Sequence, residues 1–402
     1  MSFKAVFINI CRWLINVFLK ILYLKKRDRN LWVFGSWRGK RYADNSKILF
    51  EYVNKHLPDI NAVWITKNPE VKQHILNLGY KCYLYNEKAA IKIRLNAGFT
   101  FYTNGMADIG VYDLSQGSKK IALWHGMPLK RLFFATNNLK KRQTSLIRKI
   151  QYLILKIYAP MHRDITIATS QTAKNFLIEC FEVKPDTVLI TGQPRNDTLF
   201  DKSFVANIRE QLQHNTDELF VLYMPTWRES DKKGKPFLDK VISVLYEDTV
   251  FQNELINRGI KLYIKPHPNV VVNFESKGNI IVLKHSFNID AQEILAVADT
   301  LITDYSSAFI DFALLEKPIH FYVPDLEDYS KDRLGVFLNF EDFAHSWFSD
   351  FGSLKKSILN ESQSEYVGIL NAKKVNEIYN DSDLVKGEYS SQTIKALTAF
   401  YS

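Results

Sequence analysis

Three cysteines in 402 residues, at 11, 82 and 180, form no CxxC pair. That spacing excludes a disulfide framework and a zinc ribbon, and it suits a reducing cytoplasm. Gly-rich phosphate loops are missing as well. The stretch 35–39, GSWRG, is neither GxGxxG nor a Walker loop, so neither standard dinucleotide nor P-loop chemistry is supported. Acidic residues vanish between 114 and 163, where every fully charged side chain is lysine or arginine. No run of about twenty apolar residues is free of charge, as a spanning helix requires, and no small-residue cleavage site follows the apolar start. Low-complexity tracts and short-period repeats are absent. No metal-ligand cluster is evident, and Asp325, Glu327 and Asp328 read as a solvated acidic turn. No RNP, helix-turn-helix or zinc-finger pattern appears, which argues against nucleic acid as partner.

What is present describes a globular chain of two domains: 402 residues, 46% hydrophobic and 24% charged. A net charge of +10 favours an anionic partner. Residues 3–24 are apolar but punctuated, with Asn9, Arg12, Asn16 and Lys20 on one narrow helical face. This pattern predicts an amphipathic helix lying in a membrane interface, followed by Lys25, Lys26 and Arg27. A helix packed on its own domain would read the same way. Residues 139–158 interleave Lys140, Lys141, Arg142, Arg148, Lys149 and Lys156 with Leu146, Ile147, Ile150, Leu153, Ile154 and Ile157. That is a basic amphipathic helix of the kind that sits on anionic headgroups, or else a buried helix with a solvated basic edge.

From residue 30 the pattern is α/β. Strands are predicted at 31–34, 62–66, 80–85, 99–103, 120–124, 165–170 and 187–190, with helices at 45–56, 70–78 and 171–180. A second set follows, with strands at 219–224, 261–265, 280–283, 300–303 and 319–323 and helices at 289–298 and 308–315. Strands separated by helices indicate parallel βαβ units. The polar stretch 201–217 precedes the second set, and the domain boundary is expected near 197–217, giving three regions: an N-terminal membrane helix over 1–28, a first domain over 29–205 and a second over 206–402.

The stretch 298–318 has the strongest local logic. An apolar strand runs into Asp304, Tyr305, Ser306 and Ser307; a serine caps a helix, and Pro318 ends it. A strand, serine turn and helix point backbone N–H groups and a positive helix end at one spot, which suits phosphate. Asp311, one turn further, is placed to accept hydrogen bonds from ribose hydroxyls. Four other short loops follow predicted strands: WHGMP at 124–128, GQPR at 192–195, PTWR at 225–228 and KPHP at 265–268. Ligands of open α/β sheets bind at the carboxyl ends of strands. His125, on a stiff turn, is expected to be exposed as a general base should be, and His267 beside Lys265 is placed as a donor to phosphate oxygens.

The set WHGMPLKRL, GQPRND, MPTWR, KPHP and TDYSSAFIDFALLEKPIHFYVPD resembles the CDP-glycerol glycerophosphotransferase family of teichoic-acid and capsule biosynthesis, in order and spacing, over roughly 31–339. The resemblance implies a GT-B fold, two Rossmann-like domains facing a cleft with the nucleotide held mainly by the second. It implies that His125 deprotonates the acceptor hydroxyl and that Trp124, Gly126, Met127 and Pro128 shape its loop. Arg195, Thr226, Trp227, Lys265, Pro266, His267, Ser306, Ser307 and Asp311 would line the CDP-alditol site. The family commonly carries Thr where this chain has Met127, which removes a hydroxyl near the reactive centre.

The expected reaction is attack of an acceptor hydroxyl on the β-phosphate of CDP-glycerol or CDP-ribitol, with CMP leaving, no tightly bound cofactor and no metal. The acceptor would be a lipid-linked glycan or polyol phosphate at the cytoplasmic face of the cell membrane, with the enzyme bound peripherally to an anionic surface. Two other readings remain open: a GT-B glycosyltransferase using a nucleotide sugar, and a non-catalytic basic membrane-binding module. The choice between glycerol and ribitol, and the oligomeric state, have no sequence signal.

Overall fold

The computed structural model describes residues 15, 18, 19, 26–136, 163–226, 228, 237–267, 270, 272–284, 289–327, 335–359 and 362–402. The basic helix expected over 139–158, nearly all of that over 3–24, and Trp227 lie outside the described residues. No described helix is long and apolar enough to cross a membrane.

The strands are β1 (Asp28–Phe34), β2 (Asn61–Thr66), β3 (Cys82–Leu84), β4 (Ala97–Tyr102), β5 (Lys119–Ala122), β6 (Ile165–Ala168) and β7 (Val188–Ile190). These are followed by β8 (Leu219–Met224), β9 (Ile260–Ile264), β10 (Ile280–Val282), β11 (Thr300–Thr303) and β12 (Ile319–Phe321). All twelve match expected strands. The helices that matter below are α1 (Asp44–His56), α2 (Gln171–Phe181), α3 (Lys202–Gln211), α4 (Ala291–Val297), α5 (Ala308–Ala313) and α6 (Tyr389–Tyr401).

The chain divides into two compact units. The first holds the described residues of Met1–His125, Leu132–Asp197 and Glu388–Ser402; the second holds Gly126–Arg131 and Thr198–Gly387. The chain passes from the first unit to the second between Asp197 and Thr198. Residues 202–211 of the polar stretch form helix α3 of the second unit, capped by Asp201, whose side chain accepts from the N–H groups of Ser203 and Phe204. Its polarity is that of a solvated helix face. One expectation changes here: the last helix, α6, belongs to the first unit rather than the second. Asp197 accepts the N–H groups of Tyr389 and Ser390 at 2.6 and 3.0 Å, and Leu397 packs into the first unit's core.

The first unit is a parallel sheet in the order β3-β2-β1-β4-β5-β6-β7. Its strands are apolar on both faces because helices cover both. Trp32 and Phe34 face a core with Leu49, Phe50, Val53, Trp64 and Phe101, while Leu31 and Val33 face Val63, Ile65, Ala90 and Ile109. The stacked rings of Phe34 and Phe101, 4.4 Å apart, join β1 to β4. The second unit is a parallel sheet in the order β10-β9-β8-β11-β12.

Both orders reverse direction between the first strand and the fourth, β1/β4 and β8/β11. At such a point the two crossovers leave in opposite directions, so the loops at the carboxyl ends splay and open a crevice. All five motif loops lie at carboxyl ends, and the sheets alone decide which of them share an edge.

Candidate active site

At the carboxyl edge of the first sheet, β5 runs into Trp124 and His125. Trp124 is buried and holds φ at 56°, a strained left-handed value. Its ring lies 4.2 Å from the imidazole of His125 and is backed by Phe181 at 4.9 Å. Trp37, from the loop after β1, approaches the imidazole from elsewhere, with ring centroids 5.8 Å apart. His125 is therefore half-buried between aromatic rings, not exposed as the sequence suggested. Burial is the main influence on its ionisation and holds it below the ordinary histidine value. The charge of Arg195 acts in the same sense, while Asp44, Asp108 and the Thr103 backbone act against it. A neutral imidazole at neutral pH is a base ready to take a proton. Its Nδ1 is buried and has no hydrogen-bond partner.

The turn is fixed from α1. Asn45, fully buried, donates from Nδ2 to the carbonyls of Leu123 and Trp124 at 3.2 and 3.0 Å and to the Gln193 side chain at 3.3 Å. Its Oδ1 accepts the N–H of Arg195 at 3.1 Å. Arg195 donates to Asp44 Oδ1 and to the carbonyl of His125, both at 2.9 Å. The guanidinium assigned by resemblance to the CDP-alditol site thus lies in the first unit, holding the backbone of the histidine. Gly192, at φ 72°, is required because a Cβ there would lie 2.2 Å from the Tyr389 ring.

Gly126, Met127 and Pro128 are buried and belong to the second unit. There the adjoining chain pairs Lys130 with Val336, and Arg131 N–H donates to the Gly335 carbonyl at 2.9 Å.

The other predicted residues collect at the carboxyl edge of the second sheet, after β8, β9 and β11. Asp304, buried at the end of β11, accepts the N–H and hydroxyl of Thr226, each at 2.9 Å. Arg228 reaches Asp304 at 3.0 Å and makes a fork onto Asp325 at 2.6 and 3.1 Å, over the ring of Phe237. The Tyr305 hydroxyl donates to Asp325 at 3.0 Å. Burial works to raise the Asp325 carboxyl, but Arg228 and the Tyr305 hydroxyl outweigh it and hold Asp325 below the carboxylate range. Asp325 is therefore no solvated turn but the counter-ion of Arg228. Burial also raises Asp304, against the pull of Arg228 and Thr226.

Helix α5 is six residues long, shorter than the expected 308–315, and Glu316 at φ 57° lies just beyond it. The Ser307 side chain makes no cap bond; Ser306 Oγ accepts from Ala308 N–H at 3.3 Å. Both serines are half-buried. A helix this short adds little dipole, so the anion-binding capacity of this turn rests on its hydroxyls and N–H groups. Asp311 is 2% exposed, closed to an incoming ribose in this arrangement. Lys265 Nζ donates to the Ile289 carbonyl at 2.6 Å; Pro266 is buried and His267 half-buried. No group of three or more His, Cys, Asp or Glu suited to a metal occurs among the described residues.

Asp44, Asn45 and Asp108 carry no signal of their own in the sequence. Gln193, Arg228 and Asp325 stand in the motifs, where Asp325 reads as a solvated turn.

A family model for CDP-glycerol:poly(glycerophosphate) glycerophosphotransferase matches residues 17–366. The chain belongs to this family. It is 28% identical to the teichoic acid poly(glycerol phosphate) polymerase of Bacillus spizizenii, over 82% of each chain. It is 24% identical to the teichoic acid glycerol-phosphate transferase of Staphylococcus aureus, over 80% of each. In fold it is similar to the wall teichoic acid polymerase TagF, with a TM-score of 0.75, 20% identity and coverage of 100% of this chain and 98% of that one. That likeness supports the GT-B-like α/β class. A UDP-GlcNAc 2-epimerase from Neisseria meningitidis is also similar, with a TM-score of 0.52 and 12% identity over 92% of this chain and 99% of that one. The fold by itself therefore does not choose a reaction.

Proposed function

We infer that this family member transfers a polyol phosphate, glycerol phosphate or ribitol phosphate, from a CDP-alditol to an acceptor hydroxyl in teichoic-acid-type or capsular polymer synthesis. The observation that carries the mechanism is the neutral, half-buried imidazole of His125 held between Trp37 and Trp124. The imidazole is the group at this edge placed to receive the acceptor proton. The acceptor oxygen attacks the β-phosphorus of the CDP-alditol, the bond from that phosphorus to the bridging oxygen breaks, and CMP leaves. As the imidazolium forms, the Thr103 backbone and the charges of Asp44 and Asp108 favour it. Arg195 and Asn45 fix its backbone, and Trp124 its ring, so the gain is one of position.

The donor is assigned to the second sheet's carboxyl edge. His267, Ser306 and Ser307 supply donors to the pyrophosphate there, Thr226, Lys265 and Pro266 shape the edge, and Trp227 and Asp311 are retained from the family motif. The Arg228–Asp304–Asp325 network is the frame beneath these groups rather than a ligand. A lipid-linked acceptor at the cytoplasmic membrane face is part of the same reading. Its support is the pair of basic and apolar stretches at 3–24 and 139–158 and the exposed apolar side chains of Ile15 and Phe18. Sedimentation with anionic vesicles at low salt tests that attachment, and protein left in the supernatant refutes it.

The test of the reaction is nucleotide release from a panel of CDP-glycerol, CDP-ribitol and nucleotide sugars, read as CMP for phosphotransfer and as a nucleoside diphosphate for sugar transfer, with wild type and His125→Ala. CMP release from a CDP-alditol is expected, lowered about 10²- to 10⁴-fold by the substitution with donor affinity intact. Release of a nucleoside diphosphate from a nucleotide sugar alone would support the glycosyltransferase reading instead.

A further inference from the structure

The loop after β1, residues 35–41, carries groups that this mechanism leaves unused. Trp37, Arg38 and Gly39 have φ of 47°, 57° and 74° in succession. For the two residues with side chains, that conformation is strained. The surroundings enforce it. Asp108 accepts the Arg38 N–H at 2.6 Å, and Thr103 Oγ1 accepts the Trp37 N–H at 3.4 Å. Ser36 Oγ donates to the Arg41 carbonyl at 2.7 Å, and the Gly39 carbonyl accepts Thr66 Oγ1 at 2.9 Å. A Cβ on Gly35 would lie 2.8 Å from the Asp108 carbonyl oxygen, so only glycine permits this approach.

A turn held this firmly presents what it carries in a fixed place. It carries Arg38, Lys40 and Arg41, all exposed and none with an ion-pair partner among the described residues. The Arg41 guanidinium lies 5.6 Å from the centre of the Trp37 ring, and that ring is the one 5.8 Å from the His125 imidazole. The neighbouring carboxylates do not compete: Asp44 is buried against Arg195, and Asp108 is buried under N–H donors. Cations with no ion-pair partner among the described residues, on the turn whose ring lies against the base, mark a place for an anion that arrives with the substrate. The base receives the acceptor, so the anion is the acceptor's.

We propose that the 35–41 loop is an anion subsite of the acceptor, in which Arg38 holds a phosphodiester adjoining the alditol whose hydroxyl reaches His125. Lys40 and Arg41 continue the cationic edge along which a longer anionic acceptor lies. The proposal rests on His125 as the base. It makes the enzyme selective for acceptors that already carry a phosphate next to the reacting alditol.

The test uses the full chain, CDP-glycerol and CMP release with three soluble acceptors. One has a phosphodiester beside the terminal alditol, one has only a distal pyrophosphate as in a lipid carrier, and one is an uncharged alditol glycoside. Arg38→Gln should lower the ratio of kcat/KM for the phosphodiester acceptor to that for the uncharged one by about tenfold or more, through KM, as loss of one charge-assisted contact implies. Arg38→Lys should lose less, and added salt should erase the difference. A selective loss on the distal pyrophosphate acceptor instead would overturn the assignment to the adjoining phosphodiester. Loss of less than threefold, equal loss on all three acceptors, or a raised KM for CDP-glycerol would overturn the subsite. His125→Ala in the same assay separates the two claims. If it keeps near-wild-type turnover, the base assignment fails; if it is inactive while Arg38→Gln discriminates nothing, only the subsite fails.

Discussion

At the switch point of the first unit, Asp108 is held by the N–H groups of Arg38, Thr103 and Asn104 and by the Thr103 hydroxyl, with no ion pair among the described residues. At that of the second unit, Asp304 accepts a comparable set from Thr226 and Tyr305 and is also paired with Arg228. The task is the same in both places. A carboxylate beyond the fourth strand ties down the loop after the first, in the crevice where a parallel sheet changes direction. The difference lies in where the cation goes. In the second unit the arginine of the loop turns inward and is consumed by two carboxylates, so an arginine in an anion-binding motif is here a strut. In the first unit the N–H groups satisfy the carboxylate, and the loop's own arginine remains outside.

Breaking the inward arrangement should have the larger effect. Arg228→Met leaves Asp304, 1% exposed, buried without its cation, and removing one partner of such a pair typically costs about 3–5 kcal/mol. Chemical unfolding with hydrogen exchange at β8 and β11 measures it. Unaltered protection there would mean that the network is ornamental. Combining Arg228→Met with Asp304→Asn should recover part of the loss.

The outward arrangement should give less. Asp108→Asn keeps one acceptor oxygen but turns an N–H₂ toward the donors of Arg38, Thr103 and Asn104, at a cost of about 1–3 kcal/mol. The effect should appear as faster exchange at the Arg38 amide and β4, with lowered turnover as Trp37 loosens beside His125. If turnover is unchanged while the Arg38 amide exchanges freely, the loop does not serve the base.

The smallest effect sharpens the comparison through pH. Because the His125 pKa is lowered in the fold, the acid limb of the rate profile should lie below the ordinary histidine range: the base is lost only when pH falls through the folded value. Asp44 opposes that lowering, so Asp44→Asn, which keeps an acceptor for the Asn45 and Arg195 donors, should move the limb to lower pH still. A limb moving upward would show that Asp44 acts by holding Arg195 rather than by its charge. The same burial bears on stability. A histidine kept neutral in the fold makes stability fall as pH drops below its unfolded value, near 6.5, because the unfolded chain binds the proton more readily.

The two sites differ in how much of each was legible beforehand. His125, His267, Ser306 and Ser307 follow apolar runs that could only be strands of a parallel sheet, and a polar residue there lies at a carboxyl edge by geometry alone. Asp108 and Asn45 had no such address. Asp108 ends a turn of ordinary composition, and Asn45 looks like any polar residue in the first turn of a helix. Their partners lie far along the chain: Arg38 is 70 residues from Asp108, and Gln193 is 148 residues from Asn45. Periodicity reports on neighbours one helical turn or one strand step away, so long-range partners of this kind leave no local mark.

By itself the sequence determined the twelve strands, the parallel α/β class and the family, because apolar runs bounded by turn residues and a set of ordered motifs are local properties of the chain. Only the tertiary structure decided that Arg195 serves the histidine, that Arg228 and Asp325 neutralise each other, that α6 returns to the first sheet, and that the 35–41 loop keeps its cations outside. Each of these depends on which groups burial leaves without water. A charged side chain taken out of water must find a partner wherever the fold places one, and one left at the surface need not.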